Sequence, residues 1–170
     1  VYLDNRRPES VEYNLSLNED LKRRDFTINS MAIDVARRLY YDPNNGIKDI
    51  ENKIIRCVGN PEKRINEDAL RILRAYRFLG QINTNNWKLE DSLCKVIVNN
   101  SYLIDDLAKE RIWQELIKIL NSNKSQEIIS IMIRDKILNV IFGWKYIETS
   151  KLLSALESQQ NLDYISLFVL

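Results

Sequence analysis

Val11, Tyr13 and Leu15 alternate with polar residues, the period of a short strand. Asn18 precedes Glu19, Asp20 and Leu21, where a helical turn is expected to begin. Asp25 to Ile33 reads as a helix with Asp25 as its cap, since Phe26, Asn29 and Ala32/Ile33 fall near one face. Leu39 to Tyr41 is a candidate strand running into the turn Asp42 to Gly46, and Ile54 to Val58 is a second, closed by Gly59-Asn60-Pro61. Beyond it the period becomes helical. Asn66 to Ile82 places Leu70, Leu73, Tyr76 and Leu79 on one stripe. Leu89 to Val98 is a second helix, and Asp106 to Leu120 a third, burying Ile112, Leu116, Ile119 and Leu120. Ser125 to Arg134, Ile137 to Phe142, Ser150 to Leu156 and Asp163 to Leu170 continue the pattern, with Asn-rich loops at Asn83 to Asn86 and Asn121 to Asn123. The chain therefore divides into an α/β piece over 1–60 and an all-α region, with the boundary near Val58 to Arg64 and a further division into 61–124 and 125–170. The first piece has no Gly-rich phosphate loop, so a doubly wound dinucleotide fold is excluded.

A length of 170 residues with 45% hydrophobic composition is enough for a real core. The formal charge of +1 singles out no partner, although local patches can still bind RNA. There is no histidine, which removes His-containing zinc sites and His-based triads. Cys57 and Cys94 read as small buried hydrophobes in a reducing, cytoplasmic setting. No apolar run approaches the ~20 residues that cross a bilayer, so no membrane partner is expected. Val1 is not an initiator methionine, and further chain upstream is expected.

Three clusters carry candidate chemistry. Lys22, Arg23, Arg24 and Asp25 are followed by Asn29 one helical turn later. Such a group can hold triphosphate oxygens and a ribose hydroxyl, although spacing alone favours a solvated charged turn with Asp25 as its cap. Glu67, Asp68, Arg71, Arg74 and Arg77 form a polar ribbon beside the apolar stripe. Asp68 can accept from the exocyclic amine of cytosine or adenine, Arg71 can donate to the same base edge, and Arg74 and Arg77 can meet phosphates. The arginine excess suits an anion better than a saturated ion-pair network, but i,i+3 pairing on an exposed face is the equal alternative. Asp42-Pro43-Asn44-Asn45-Gly46 with Asp49 superficially resembles a calcium loop, yet has too few oxygens; a turn capping the next helix is expected, and no metal site is assigned within the chain. Arg6-Arg7-Pro8 adds a basic loop.

Arg23 to Ala32, RRDFTINSMA, resembles the RRDFTINAMA-type motif of the class II tRNA nucleotidyltransferase and bacterial poly(A) polymerase family, with Ser30 at its second Ala. Asp42 to Ile50 is similar to the family's D-x-x-G-G-x-x-D-L segment, with Asn45 for the first Gly and Ile50 for Leu. Glu67 to Phe78, EDALRILRAYRF, resembles its EDxxRxxRxxRF helix without departure, and Glu110-Arg111-Ile112 with Glu115 and Leu116 resembles its ERixxEl segment. The resemblance covers Asp4 to about Leu120.

It implies a nucleotidyltransferase head fragment over 1–60, a base-recognising helical neck over 61–124 and the start of a helical body from 125. It also implies addition of C and A from CTP and ATP to the 3′ end of tRNA. The relatives that make poly(A), or add only CC or A, share these motifs and are alternatives. So is a split-gene remnant that only binds nucleotide or RNA. By the same resemblance Arg24, Asp25, Asn29, Asp68, Arg71, Arg74 and Arg77 contact nucleotide, and Arg6 and Arg7 lie on a loop that changes nucleotide preference. Asp42, Gly46, Asp49, Glu67, Arg111 and Glu115 serve as hinge and brace. The family's Mg2+ carboxylates, an Asp-x-Asp pair after a GGxVRD segment, are not found here, and Asp34, Asp42 and Asp49 belong to other matched segments. Transfer is expected to need ligands from upstream, with a complementary N-terminal fragment as a candidate partner, and the chain alone is expected to bind without transferring.

Overall fold

Ser16 starts the first helix by a reciprocal cap: its hydroxyl accepts from the Glu19 amide at 3.3 Å and its own amide donates to the Glu19 carboxylate at 2.8 Å. This helix, α1, spans Leu17–Arg23, slightly ahead of the turn expected at Asn18. The computed structural model describes residues 16–143 of the 170. The strand expected at Val11 to Leu15, the loop with Arg6 and Arg7, and the helices expected at Ser150 to Leu156 and Asp163 to Leu170 lie outside the described residues.

The helix expected from Asp25 to Ile33 does not form. Phe26 is extended and bridges Cys57; the Thr27 amide donates to Arg56 O at 2.9 Å, and the Val58 amide to Asp25 O at 3.1 Å. A single 3-10 turn covers Thr27–Asn29, and β1 follows at Ala32–Asp34. Tertiary partners decide this: Phe26 is fully buried edge-on to Phe78, and the Thr27 hydroxyl donates to buried Asp49 at 2.7 Å. Those contacts outweigh a weak local helical preference. Strand β2, Leu39–Tyr41, pairs antiparallel with β1.

Asp42 turns the chain into helix α2, Gly46–Glu51, by accepting from the Gly46 and Ile47 amides at 2.7 and 3.0 Å, while Asn45 adopts a left-handed conformation (φ 59°). The capping turn read from Asp42 to Gly46 is thus present. Strand β3 is shorter than expected, Ile54–Ile55, and pairs in parallel with β4, Lys88–Leu89. Leu89 therefore lies in a strand, not at the start of the next helix.

Asn60 caps α3, Pro61–Glu67, by accepting from the Lys63 amide at 3.0 Å, with Pro61 at the first helical position. The helix expected over Asn66 to Ile82 is two helices. Asp68 leaves helical conformation (φ −156°, ψ 100°), and α4 begins at Leu70 and ends at Gln81. The Asp68 carboxylate accepts from the Leu70 amide at 3.2 Å, the local competition by which a short acidic side chain replaces helix with cap. Helix α5, Asp91–Asn99, is capped by Glu90; a 3-10 turn covers Ser101–Asp106, so α6 runs only over Lys109–Leu120. Helices α7, Ser125–Arg134, and α8, Ile137–Phe142, complete the described chain with the bounds read from the sequence.

The core forms around α4. Leu70, Leu73, Tyr76 and Leu79 are all buried, joined by Ile112, Leu116, Ile119 and Leu120 of α6 and by Ile128, Ile129 and Met132 of α7. The end of α4 packs so closely on the loop between α6 and α7 that a Cβ on Gly80 would lie 2.6 Å from Ser122 Oγ. Tyr76 carries its hydroxyl into this core and donates to buried Asp135 at 2.9 Å. A mixed α/β region thus precedes a mainly helical one. The junction sets the loop carrying Asp25 against the start of α4.

Candidate nucleotide-binding cleft

A cleft of about 510 Å3 opens at that junction, lined by Arg23, Arg24, Asp25, Asn29, Asp68, Leu70, Arg71, Arg74 and Arg111. Sequence-distant segments meet here. The α1 end and the following loop give Arg23 to Asn29, the α3–α4 break gives Asp68, α4 gives Arg71 and Arg74, and α6 gives Arg111.

Asp25 is 8% exposed and saturated. It accepts from the Phe26 amide at 2.8 Å, from Asn29 Nδ2 at 3.3 Å, and from Arg74 through Nε at 2.8 Å and through Nη2. Asp25 and Asn29 do meet, through a 3-10 turn instead of along an α-helix. Burial on its own would raise the Asp25 pKa; the Arg74 bonds and charge, with the Phe26 and Asn29 donors, outweigh it and hold the carboxyl below its ordinary value.

Asp68 faces the cleft, half-buried. Arg111 Nη2 lies 3.2 Å from each of its carboxylate oxygens. Arg71 is largely buried; Nη1 donates to the Glu67 carboxylate at 3.2 Å and to the Arg64 carbonyl. Arg64 also pairs with Glu67. Glu67 is held below its ordinary pKa, its desolvation being outweighed by the charges and hydrogen bonds of Arg64 and Arg71. Arg24 pairs with Asp20 at 2.8 Å on the exposed side of α1.

Arg77 lies away from the cleft. Its Nε is 2.9 Å from Oε2 of buried Glu115, an ion pair without an aligned hydrogen bond, and its guanidinium stacks 4.5 Å from the Phe78 ring centre. Lys118 Nζ also donates to Glu115 at 3.0 Å. The expected arginine excess along the α4 ribbon is therefore not an excess of unpaired charge. Arg71, Arg74 and Arg77 each meet a carboxylate, two of which, Asp25 and Glu115, come from segments that spacing could not bring together. The cleft lining carries five guanidiniums against two carboxylates, with Asp20 and Glu67 pairing two of the five from just outside it, so a small positive excess remains to favour an anion.

Asp49 and Gly46 form a support behind the cleft. Buried Asp49 accepts from Thr27 Oγ1 and pairs with Arg56 at 3.1 Å, and Arg56 reaches Glu90 at 3.3 Å. This fixes α2 beneath the turn that follows Asp25. Arg111, read as a brace, lines the cleft and joins α6 to Asp68, and Arg64 is a residue that the sequence reading does not single out. Its three-residue spacing to Glu67 signals their pairing, but no sequence signal reports its contacts to the Arg23 and Arg24 carbonyls. Among the described residues no group of three or more Cys, Asp or Glu could hold a metal ion, and Asp25 and Asp68 are both committed to guanidiniums. No helix among the described residues is long and apolar enough to cross a membrane.

Two family descriptions match the chain: the poly A polymerase head domain over residues 1–56, and the probable RNA and SrmB-binding site of polymerase A over residues 86–151. A CCA-adding enzyme of Ligilactobacillus salivarius is 39% identical over 165 residues, covering 96% of this chain and 40% of that protein. One from Streptococcus gordonii is 46% identical over 120 residues, covering 71% and 29%. Among solved structures, the Bacillus stearothermophilus CCA-adding enzyme in complex with CTP superposes with a TM-score of 0.74 at 33% identity, covering 85% of this chain and 35% of that one. The chain spans about 40% or less of the length of these relatives. The two family matches, the identities and the shared architecture agree: this chain belongs to the family of CCA-adding enzymes and poly(A) polymerases.

Proposed function

We propose that the cleft selects the base of CTP or ATP for a template-independent nucleotidyltransferase that extends the 3′ end of tRNA with C and A. The observation that carries this reading is that Asp68 and Arg71 face one cation-rich cleft together with Arg24, Asp25 and Asn29. Cytosine and adenine both present an exocyclic amine where uracil and guanine present a carbonyl oxygen. A carboxylate accepts from the amine and repels the oxygen. Arg71 can donate to the adjacent ring acceptor, so acid and guanidinium together read the edge with no nucleic-acid template. Arg23, Arg24 and Arg74 supply positive charge for the phosphates, and the phosphate role expected for Arg77 passes to these three.

In this reading residues 1–60 serve as the end of the catalytic head, 61–124 as the neck and 125–170 as the start of the body. The α2 segment with Asp42, Gly46 and Asp49, and the Arg77–Glu115 pair, keep cleft walls in register. Mg2+, which activates the RNA hydroxyl and neutralises the departing pyrophosphate in such transfers, takes its ligands from residues other than 16–143, on the same polypeptide or a complementary fragment. The partner is the tRNA 3′ end. A cytoplasmic setting is supported by the free thiols of Cys57 and Cys94.

Titrating the chain with CTP, ATP, UTP and GTP, with and without Asp68→Ala, tests base selection. Wild type is expected to prefer CTP and ATP. The variant is expected to lose that preference by ~1–3 kcal/mol. An unchanged preference in the folded variant removes Asp68 from the site.

A further inference from the structure

Arg64 sits in the last turn of α3, behind the cleft wall, with its side chain only 12% exposed. Its Nη2 donates to the carbonyls of Arg23 and Arg24, at 2.6 Å each. Its Nη1 pairs with Glu67 Oε2. The same Glu67 oxygen accepts from Arg71 Nη1 at 3.2 Å, and Arg71 Nη1 donates back to the Arg64 carbonyl. A continuous path of polar contacts therefore runs from the Arg23–Arg24 backbone through Arg64 and Glu67 to Arg71.

The two ends of that path are different segments of the cleft lining, the end of α1 and the first turn of α4. One end fixes the backbone that presents Arg23, Arg24 and Asp25. The other fixes the guanidinium of Arg71, which lines the same cleft as Asp68. Only an arginine can join them, because its planar fork reaches two carbonyls with one nitrogen and a carboxylate with another, whereas lysine offers a single point charge. Capping the end of α1 accounts for the carbonyl contacts alone. It does not account for the second half of the fork, which closes on Glu67 and so on Arg71. Arg64 Nε is buried without a partner, a desolvation cost that the fork's placement bears.

We infer that Arg64, acting through Glu67, is a positioning residue for base selection: it fixes the spacing between the phosphate-facing strip Arg23-Arg24-Asp25 and the base-reading pair Asp68–Arg71. The inference rests on the nucleotide-reading assignment above. A clasp of this kind does not create affinity for phosphate. It makes a bound triphosphate place its base at one distance, so that the base edge is tested in register.

The experiment uses the whole 170-residue chain and three probes: CTP, UTP and inorganic tripolyphosphate, which has no base. In Arg64→Lys the CTP-over-UTP preference is expected to fall about fivefold or more, the loss of one good base contact, while tripolyphosphate affinity stays within about twofold. Arg64→Lys with the preference intact overturns the clasp. So does an equal loss for tripolyphosphate, which marks a general collapse of the cleft. If Arg64→Lys does not melt cooperatively, Glu67→Gln decides by the same two criteria, since it weakens the relay and leaves the carbonyl contacts in place. A wild-type chain with no preference for CTP over UTP instead overturns the base-reading assignment itself, and the clasp with it.

Discussion

Arg111 reaches from α6 to within 3.2 Å of both carboxylate oxygens of Asp68, across 43 positions of sequence. Asp68 also receives the Leu70 amide at 3.2 Å, so its carboxylate is oriented from two sides by the fold itself. Each carboxylate oxygen has more than one acceptor direction, which leaves room for an amine donor alongside Arg111. The pair is about a third to two-fifths exposed and contributes little to stability, within ~1 kcal/mol. Arg111→Gln is therefore expected to leave thermal unfolding nearly unchanged. It should weaken the preference for CTP and ATP over UTP and GTP several-fold, because the acceptor loses its fixed direction. Competition binding with the four nucleotides, beside a melting curve, checks this; a large loss of stability with selectivity retained contradicts it.

Asp25 and Arg74 make a different kind of pair. Asp25 is buried and takes all its charge compensation from Arg74, the Phe26 amide and Asn29. Its folded-state pKa lies below the unfolded value. A depressed carboxyl contributes stability that is fully present above the unfolded pKa, ~4, and is lost as pH falls through the folded pKa. Denaturant unfolding followed from neutral pH downward should show this acid-side loss, and Asp25→Asn should make the decline shallower. Arg74→Ala strands the carboxylate and is expected to cost ~3 kcal/mol at neutral pH, at the low end for a broken buried pair because Arg74 is itself a third exposed.

These two pairs mark where the sequence was legible and where it was not. The α4 stripe and the bounds of α7 and α8 follow from apolar period alone, because each helix buries one face against a neighbour. The capping turn at Asp42 follows from local side-chain chemistry. The break at Asp68 does not, since an acid three residues from an arginine fits a continuous helix as well as a cap. Nor does the extended path of Phe26, which a pairing with Cys57 decides from thirty-one positions away. Arg24, Asp25, Asn29, Asp68, Arg71 and Arg74, which line the cleft, were legible as types. Their partners were not: Asp25 with Arg74, Asp68 with Arg111, and Arg64 with the Arg23 and Arg24 carbonyls are all long-range contacts.

Gly46 shows how closely the support packs beneath the cleft. A Cβ there would lie 2.3 Å from the Thr27 carbonyl and 2.8 Å from Met31 Sδ. The backbone carbonyl cannot yield without moving the turn that follows Asp25. Gly46→Ala is expected to destabilise the fold by ~1–3 kcal/mol and to weaken nucleotide binding in the surviving folded fraction. Chemical denaturation with parallel CTP titration measures both, and an unchanged midpoint rules out the tight approach of α2.

The two thiols should report the packing independently of any nucleotide. Cys57 is 1% exposed, and burial pushes its pKa up to about 11. Only the thiolate reacts with iodoacetamide, so at pH 8 Cys57 is protected twice, by access and by protonation. Cys94 is half-buried; burial raises its pKa as well, with the Asp135 charge adding to it. Mass spectrometry of the native chain after timed alkylation should therefore find Cys94 modified first, slowly, and Cys57 essentially untouched until denaturant is added. The bridge between Phe26 and Cys57 ties that protection to the segment carrying Asp25. Early labelling of Cys57 would mean that this segment opens in the native state, and with it the wall that the proposed base-reading pair must face.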